Sequence, residues 1–190
     1  MANKVDICNG ALLHLGVEPI TSLTDVIKPA QKCNQEYTKV RDKLLEMNDW
    51  TFAKKRVQLT STGMTPIGDQ YDTEFLLPSD RVHIIEYLPN YMQYEIEGNK
   101  LLTNESTVYC IYIYKNDNTS SYTPLFVELF ELELASRLAY PLRQDKDLAS
   151  MMDQKFNAAV DVAGLRDIKQ QYDREQEDPS FDGDVRNTIG

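Results

Sequence analysis

The sequence predicts a mixed α+β protein in which helices from both ends of the chain flank a block of strands. Apolar residues recur at helical spacing in residues 1–50, and they alternate with polar residues between about residues 56 and 115. Helical spacing returns from residue 124 onward. We therefore expect about four helices to form one helical bundle, with a small antiparallel β-sandwich or barrel inserted between the second and third helices.

The first segment, residues 1–50, is predicted to contain two helices. Asn3 is suited to cap the first helix, and Gly16 follows its last apolar residue, as is common at helix ends. Pro29 opens a second helix that should end near Asn48. Two large aromatic residues then mark the junction with the first strand, where we expect them to pack rather than to bind a ligand: Trp50 and Phe52.

Residues 51–122 are predicted to form the inserted β domain. Gly98-Asn99 lies between two short strand-like segments and predicts a two-residue hairpin turn. The segment Thr107–Lys115 is the strongest strand and is apolar on both faces. The one dense basic run of the chain, Lys54-Lys55-Arg56, is expected to form a solvated strand edge.

Residues 123–175 are predicted to complete the helical part. Thr123 is suited to cap a helix that begins at Pro124. Pro124–Leu142 has helical spacing, and its apolar residues fall on two opposite faces separated by narrow polar seams. In one seam, Glu133 and Arg137 are spaced for an i,i+4 ion pair. Such a helix must be covered on both faces, by its own domain or by a neighbouring subunit. Two residues on one face are our candidates for a subunit interface: Leu134 and Leu138.

The C-terminal part combines a long helix with an acidic segment. Asp145 is suited to cap a helix that should continue to about Glu175. Residues 176–190 carry four acids and no continuous apolar stripe, which taken alone is typical of a disordered tail. Three apolar residues nevertheless recur there every four positions: Phe181, Val185 and Ile189. Two interpretations stay open, a solvated tail and a segment that folds onto a partner.

The composition argues against several classes of function. The formal net charge is −10, whereas nucleic-acid-binding proteins generally present a basic surface to the phosphates. No apolar run approaches the roughly 18 residues that a membrane-spanning helix requires, and no signal peptide is recognisable. The three cysteines are widely spaced among core-like residues, which favours buried free thiols in a reducing cytoplasm: Cys8, Cys33 and Cys110.

The sequence contains no recognisable catalytic or metal-binding pattern. Neither histidine, His14 or His83, has a cysteine or carboxylate at a metal-ligand spacing. A P-loop, a nucleophile elbow and a dinucleotide-binding fingerprint are also absent from the sequence. We therefore expect no catalytic, cofactor-binding or metal-binding residues and no cofactor, and we predict that the protein is not an enzyme.

Four segments resemble, in the same order, the tail tubular protein A family, the head-to-tail adaptors of short-tailed bacteriophages. Together they span roughly residues 5–143. They are ICNGALLHLGVEPITSL at 7–23, the pattern C…Y…RD.LL….W.FA..R at 33–56, YEIEG..LLTN at 94–104, and PLFVELFELELASRLAYPL at 124–142. No single segment is specific, and the resemblance depends on the order of all four. From Asp145 onward the chain carries no family-like motif.

The resemblance implies a structural protein of the virion, made in the cytoplasm of the bacterial host. A family member forms a ring of identical subunits, twelve by expectation, between the portal protein and the tail nozzle. Genomic DNA leaves through the channel of the ring without specific binding. Two alternatives stay open: a stopper or head-completion protein that binds the portal transiently, and a tail-associated enzyme that degrades polysaccharide. A host regulatory protein is a residual possibility.

Overall fold

The computed structural model describes residues 3–68 and 70–177, with side chains described up to residue 162. Within these residues it contains four α-helices and two antiparallel sheets, so the predicted mixed α+β class is confirmed. The helices are α1 (Lys4–His14), α2 (Lys28–Met47), α3 (Pro124–Arg143) and α4 (Lys146–Glu177). The strands are β1 (Lys54–Gln58), β2 (Thr60–Ser61), β3 (Thr73–Leu76), β4 (Arg81–Leu88), β5 (Tyr94–Glu97), β6 (Lys100–Thr103) and β7 (Tyr109–Tyr114).

Local sequence signals set the ends of the first two helices. The Asn3 side chain accepts hydrogen bonds from backbone N–H groups of the first turn of α1, and the Asp6 carboxylate accepts one from the Asn3 N–H at 2.8 Å. This reciprocal arrangement is a capping box. Gly16 follows the helix with φ of +61°, a conformation that glycine adopts without strain. Pro29 lies in the first turn of α2, as predicted.

Helix α3 is covered on both of its apolar faces by its own chain. It contacts α1, α2 and α4, and α4 follows it after a turn at Gln144 and Asp145. Thr123 caps the start of α3 by accepting from the Phe126 N–H at 3.3 Å. The Asp145 carboxylate caps α4 by accepting from the Leu148 N–H at 2.9 Å. Both caps follow the sequence prediction.

The strands form two antiparallel sheets. Sheet A has the order β1-β7-β4, and sheet B has the order β2-β3-β6-β5. Leu59 alone separates β1 from β2, so the chain passes directly from sheet A to sheet B. Glu97 pairs with Lys100 across Gly98-Asn99, which confirms the predicted hairpin.

Sheet A lies between the helices and sheet B. On β7, Ile113 packs in the helical core, whereas Cys110 and Tyr112 pack in a smaller β core with sheet B. This position explains why the β7 segment is apolar on both faces. The β core consists of Leu59, Phe75, Leu77, Met92, Leu101, Val108, Cys110 and Tyr112.

The junction between α2 and β1 is built by the predicted aromatic pair. The Trp50 indole N–H donates to the Leu44 carbonyl oxygen at 2.7 Å. The ring of Trp50 lies 5.1 Å from that of Phe126, and the ring of Phe52 lies 4.9 Å from it. The packing role predicted for Trp50 and Phe52 is therefore confirmed.

Two further expectations can be compared with the fold. The three cysteines of the chain are buried and free, as predicted. None of the helices in the described part of the chain is long and apolar enough to cross a membrane.

Candidate interaction surfaces

The two residues of α3 predicted for a subunit interface are core residues. Leu134 and Leu138 have no exposed surface in the folded chain. Because α1 and α2 pack on α3 together with α4, neither side chain is available to a neighbouring subunit, and their interface assignment is corrected. The other three predicted interface residues lie outside the described residues, and their role stays a prediction: Phe181, Val185 and Ile189.

A buried carboxylate on α3 links it to α2. Glu133 is 3% exposed, and it accepts from Arg137 Nε at 2.7 Å, the i,i+4 pair that the sequence predicts. It also meets Lys43 Nζ at 2.8 Å, a partner ninety residues away in the sequence. The Lys43 ammonium lies 4.8 Å from the centre of the Phe156 ring on α4. This group of charges joins three helices and is satisfied within the chain.

A second ion-pair group joins the N-terminal helices to the segment after β7. Arg41 is nearly buried, and its guanidinium donates to Asp42 at 2.7 Å and to Asp117 at 2.8 Å. Lys4 also donates to Asp117. Partial burial opposes ionisation of Asp117, but the hydrogen bonds from Lys4 and Arg41 hold its pKa below the ordinary value. These charges too are satisfied by partners inside the chain.

The histidines do not assemble a metal site with their neighbours. His83 Nε2 lies 2.8 Å from the Asp49 carboxylate at the end of α2, and His14 lies at the exposed end of α1. Among the residues that the structure describes, no group of three His, Cys, Asp or Glu side chains is placed to hold a metal ion.

A cavity of about 290 Å³ opens between β4 and β5, the outer strands of the two sheets on one side of the β region. We call it the seam, and define it by Glu86, Tyr87, Met92 and Tyr94 among its lining residues. The rings of Tyr87 and Tyr94 meet edge to face, with centroids 4.8 Å apart. Burial, with a contribution from the neighbouring Tyr94, raises the pKa of Tyr87 to about 12, so its hydroxyl stays protonated at neutral pH.

The outer strand beside the seam is acidic and exposed. Every residue of β5 is exposed, including the apolar side chains of Tyr94 and Ile96. Glu95 and Glu97 alternate with them and have no ion-pair partner among the described residues. Glu86, which lies on the cavity wall, is also exposed. The β4–β5 side therefore presents carboxylates around an aromatic cavity.

The opposite edge of sheet A is basic. β1 is its outer strand, as predicted for the Lys54-Lys55-Arg56 run, and Lys54 and Arg56 are exposed there. Neither has an ion-pair partner in the part of the chain that the structure describes. Lys55 behaves differently, since its ammonium pairs with Asp80 at 2.8 Å and lies 3.7 Å from the centre of the Tyr114 ring. We call Lys54 and Arg56 the basic edge.

Compared with known proteins, the chain matches no protein-family model and no curated protein. Its function must therefore be argued from its own residues and their arrangement.

Proposed function

We propose that the protein is a head-to-tail adaptor of a short-tailed bacteriophage, similar to tail tubular protein A. In this role, identical subunits form a ring between the portal protein and the tail nozzle of the virion. The observation that carries the proposal is the ordered occurrence of four family-like segments between residues 5 and 143. Chance resemblance of one short segment is common, whereas four in the family order are a much more specific signal.

The packing of these segments supports the proposal. Cys33 and Tyr37, from the second segment, lie in the same core as Phe126 and Phe130 of the fourth. The rings of Tyr37 and Phe130 are 4.7 Å apart. Residues that are distant in sequence but in contact in the structure tend to determine a fold together. The second and fourth family-like segments therefore meet in one core of this chain, as expected if they determine the fold together.

The proposal also includes a finer architecture. The four helices, drawn from both chain ends, act as one helical bundle, and residues 51–122 act as an inserted β-sandwich. Contacts of α3 with each of the other helices support the bundle. The two stacked sheets around the β core support the sandwich.

The charge of the chain suits a channel for DNA. A ring of subunits that each carry a net charge of −10 does not neutralise phosphates, which is the main source of non-specific affinity for DNA. The genome then slides through the ring without being retained. In the same proposal, Phe181, Val185 and Ile189 contact the portal, either as a strand added to a sheet edge or as a helix bound in a groove.

The test is assembly with the portal protein of the same phage. Purified protein and portal are mixed, and the complexes are imaged by negative-stain electron microscopy and weighed by native mass spectrometry. We expect a ring of twelve copies on one face of the portal. Absence of any complex would contradict the adaptor function. One or a few copies per portal would favour the stopper instead.

Substitutions in residues 176–190 make the same test more specific. Replacing Phe181, Val185 and Ile189 by serine should leave a folded protein that no longer joins the portal. Replacing three polar residues of the same segment, Ser180, Asn187 and Thr188, by alanine is the matched control and should leave assembly intact. Full assembly of the first variant would show that these apolar side chains do not contact the portal.

A further inference from the structure

We propose that neighbouring copies of this chain contact each other head to tail through their β regions. The basic edge of β1 in one copy binds the seam between β4 and β5 of the next copy. This inference rests on the proposed ring assembly and names the surfaces that form the contact between subunits.

The positions of the two surfaces favour a contact between copies. β1 and β4 are the opposite outer strands of sheet A, with β7 between them, and the seam opens on the β4 side. Within one chain, the basic edge and the seam therefore lie at opposite edges of the sheet. Two different surfaces that bind each other make a heterologous contact, and its repetition by rotation closes a ring.

The charges of the two surfaces are complementary. Lys54 and Arg56 are exposed cations on one edge, in a chain whose net charge is −10. The seam and the adjoining β5 present exposed carboxylates: Glu86, Glu95 and Glu97. Contacts of seam with seam, or of basic edge with basic edge, would juxtapose like charges. Complementary charge therefore favours the head-to-tail contact over a two-fold symmetric dimer.

The seam also has the chemistry that recognises a guanidinium group. Arginine stacks on aromatic faces and pairs with carboxylates through a planar fork of donors. Tyr87 and Tyr94 line one cavity of about 290 Å³ with their rings edge to face, and Glu86, another of its lining residues, is exposed beside it. We place the side chain of Arg56 from the neighbouring copy in this cavity, with Lys54 beside the carboxylates of β5. The contact would also cover apolar surface of Tyr94, which is 45% exposed in the single chain.

Chemical crosslinking tests the contact directly. Gln58 on β1 and Asn90 on the wall of the seam are both exposed, and replacing them by cysteine leaves the charged residues of both surfaces in place. The variant carrying both Gln58→Cys and Asn90→Cys is treated with a short bis-maleimide, alone at high concentration and in complex with the portal. The native cysteines are buried, so the introduced pair carries the reaction. We expect a ladder of covalent oligomers from the double variant and none from either single variant. Dimers from a single variant would indicate a symmetric contact and would overturn the proposal.

Charge reversal is the second measurement. Lys54→Glu/Arg56→Glu and Glu95→Lys/Glu97→Lys should each raise the concentration needed for half-maximal assembly by roughly tenfold or more, since like charges then meet at the interface. Mixing the two variants restores opposite charges at every contact and should restore assembly. Lys28→Glu/Lys155→Glu makes the same charge change as the first variant at exposed helical positions, and it should assemble as the wild type does. Unimpaired assembly of the first variant, or failure of the mixture to recover, would overturn the proposal.

The outcomes separate this inference from the proposed function. If the wild type forms rings on the portal but the double cysteine variant yields no ladder, the contact is wrong and the adaptor function stands. If the wild type neither binds the portal nor associates with itself, the adaptor function fails, and this inference fails with it.

Discussion

The helical part and the β part of this protein differ in how they use their side chains. The helical core buries large side chains from all four helices, with Phe126, Phe130, Leu134 and Leu138 wholly inaccessible to solvent. The β core is smaller, and strands β1 and β5 keep charged and aromatic side chains at the surface. From this comparison we expect the helices to supply most of the stability, and our proposed contact between copies assigns assembly to the edges of the β region.

The largest expected effect is on stability, and it is seen by comparing the loss of one aromatic side chain from each part. Phe126→Ala should lower the free energy of unfolding by about 3–5 kcal/mol, because it opens a cavity in the helical core. Tyr94→Ala, at the exposed seam, should cost less than about 1 kcal/mol. Urea unfolding followed by fluorescence of Trp50, the single tryptophan and a neighbour of Phe126, measures both changes. If both variants lost the same free energy of unfolding, Tyr94 would contribute to stability as much as Phe126 does, which would contradict the difference between the two parts.

The second prediction asks whether the two cores unfold together. Leu101→Ala in the β core should cost about 2–5 kcal/mol. Because β7 contributes residues to both cores, we expect one cooperative transition that moves to lower urea concentration. Trp50 fluorescence, which reports on the helical core, and far-UV circular dichroism should give the same midpoint. Separate transitions, with the midpoint of Trp50 fluorescence unchanged, would mean that the β region unfolds on its own.

The third prediction concerns the ion pairs that join the helices. Glu133→Gln should cost about 2 kcal/mol, less than the 3–5 kcal/mol typical when one partner of a fully buried pair is lost. The expected loss of stability is smaller because Lys43 and Arg137 remain partly hydrated. Glu128→Gln, an exposed carboxylate on the same helix, is the matched control and should change stability by no more than about 0.5 kcal/mol. Thermal unfolding followed by circular dichroism distinguishes the two variants.

The smallest expected effect depends on pH. Burial, and then repulsion from Glu128, raise the pKa of Glu131, whose carboxyl group packs against Gly10 of α1. A carboxyl whose pKa is higher in the folded state destabilises the protein once the pH rises above that folded pKa, and it costs nothing below the unfolded pKa. Glu131→Gln should therefore raise the melting temperature slightly at pH 7 and leave it unchanged near pH 3.5. An equal rise in melting temperature at pH 7 and near pH 3.5 would show that the effect does not arise from ionisation of Glu131.

Much of the fold could be predicted because its signals are local. The Asn3 cap, the Thr123-Pro124 helix start and the Gly98-Asn99 hairpin each depend on a few adjacent residues. The edge position of Lys54-Lys55-Arg56 followed from the same kind of reasoning, since three consecutive cations are unsuited to a buried central strand.

The parts that could not be predicted depend on residues brought together from distant positions. The two apolar faces of α3 indicated that Leu134 and Leu138 would be covered, but not that α1, α2 and α4 of the same chain would cover this helix. The pairing of Lys43 with Glu133 arises only when α2 packs against α3. The seam exists because the outer strands of two different sheets become neighbours, and no periodicity within β4 or β5 encodes that.

The most direct test of the central claim is a cryo-electron microscopy reconstruction of the protein bound to its portal. We predict a closed ring of twelve subunits in which Arg56 of each copy enters the seam of the next, beside Glu86 and between β4 and β5. A ring held together by its helices, with the seam open to solvent, would contradict the assigned contact. A single copy or a two-fold dimer on the portal would contradict the adaptor ring itself.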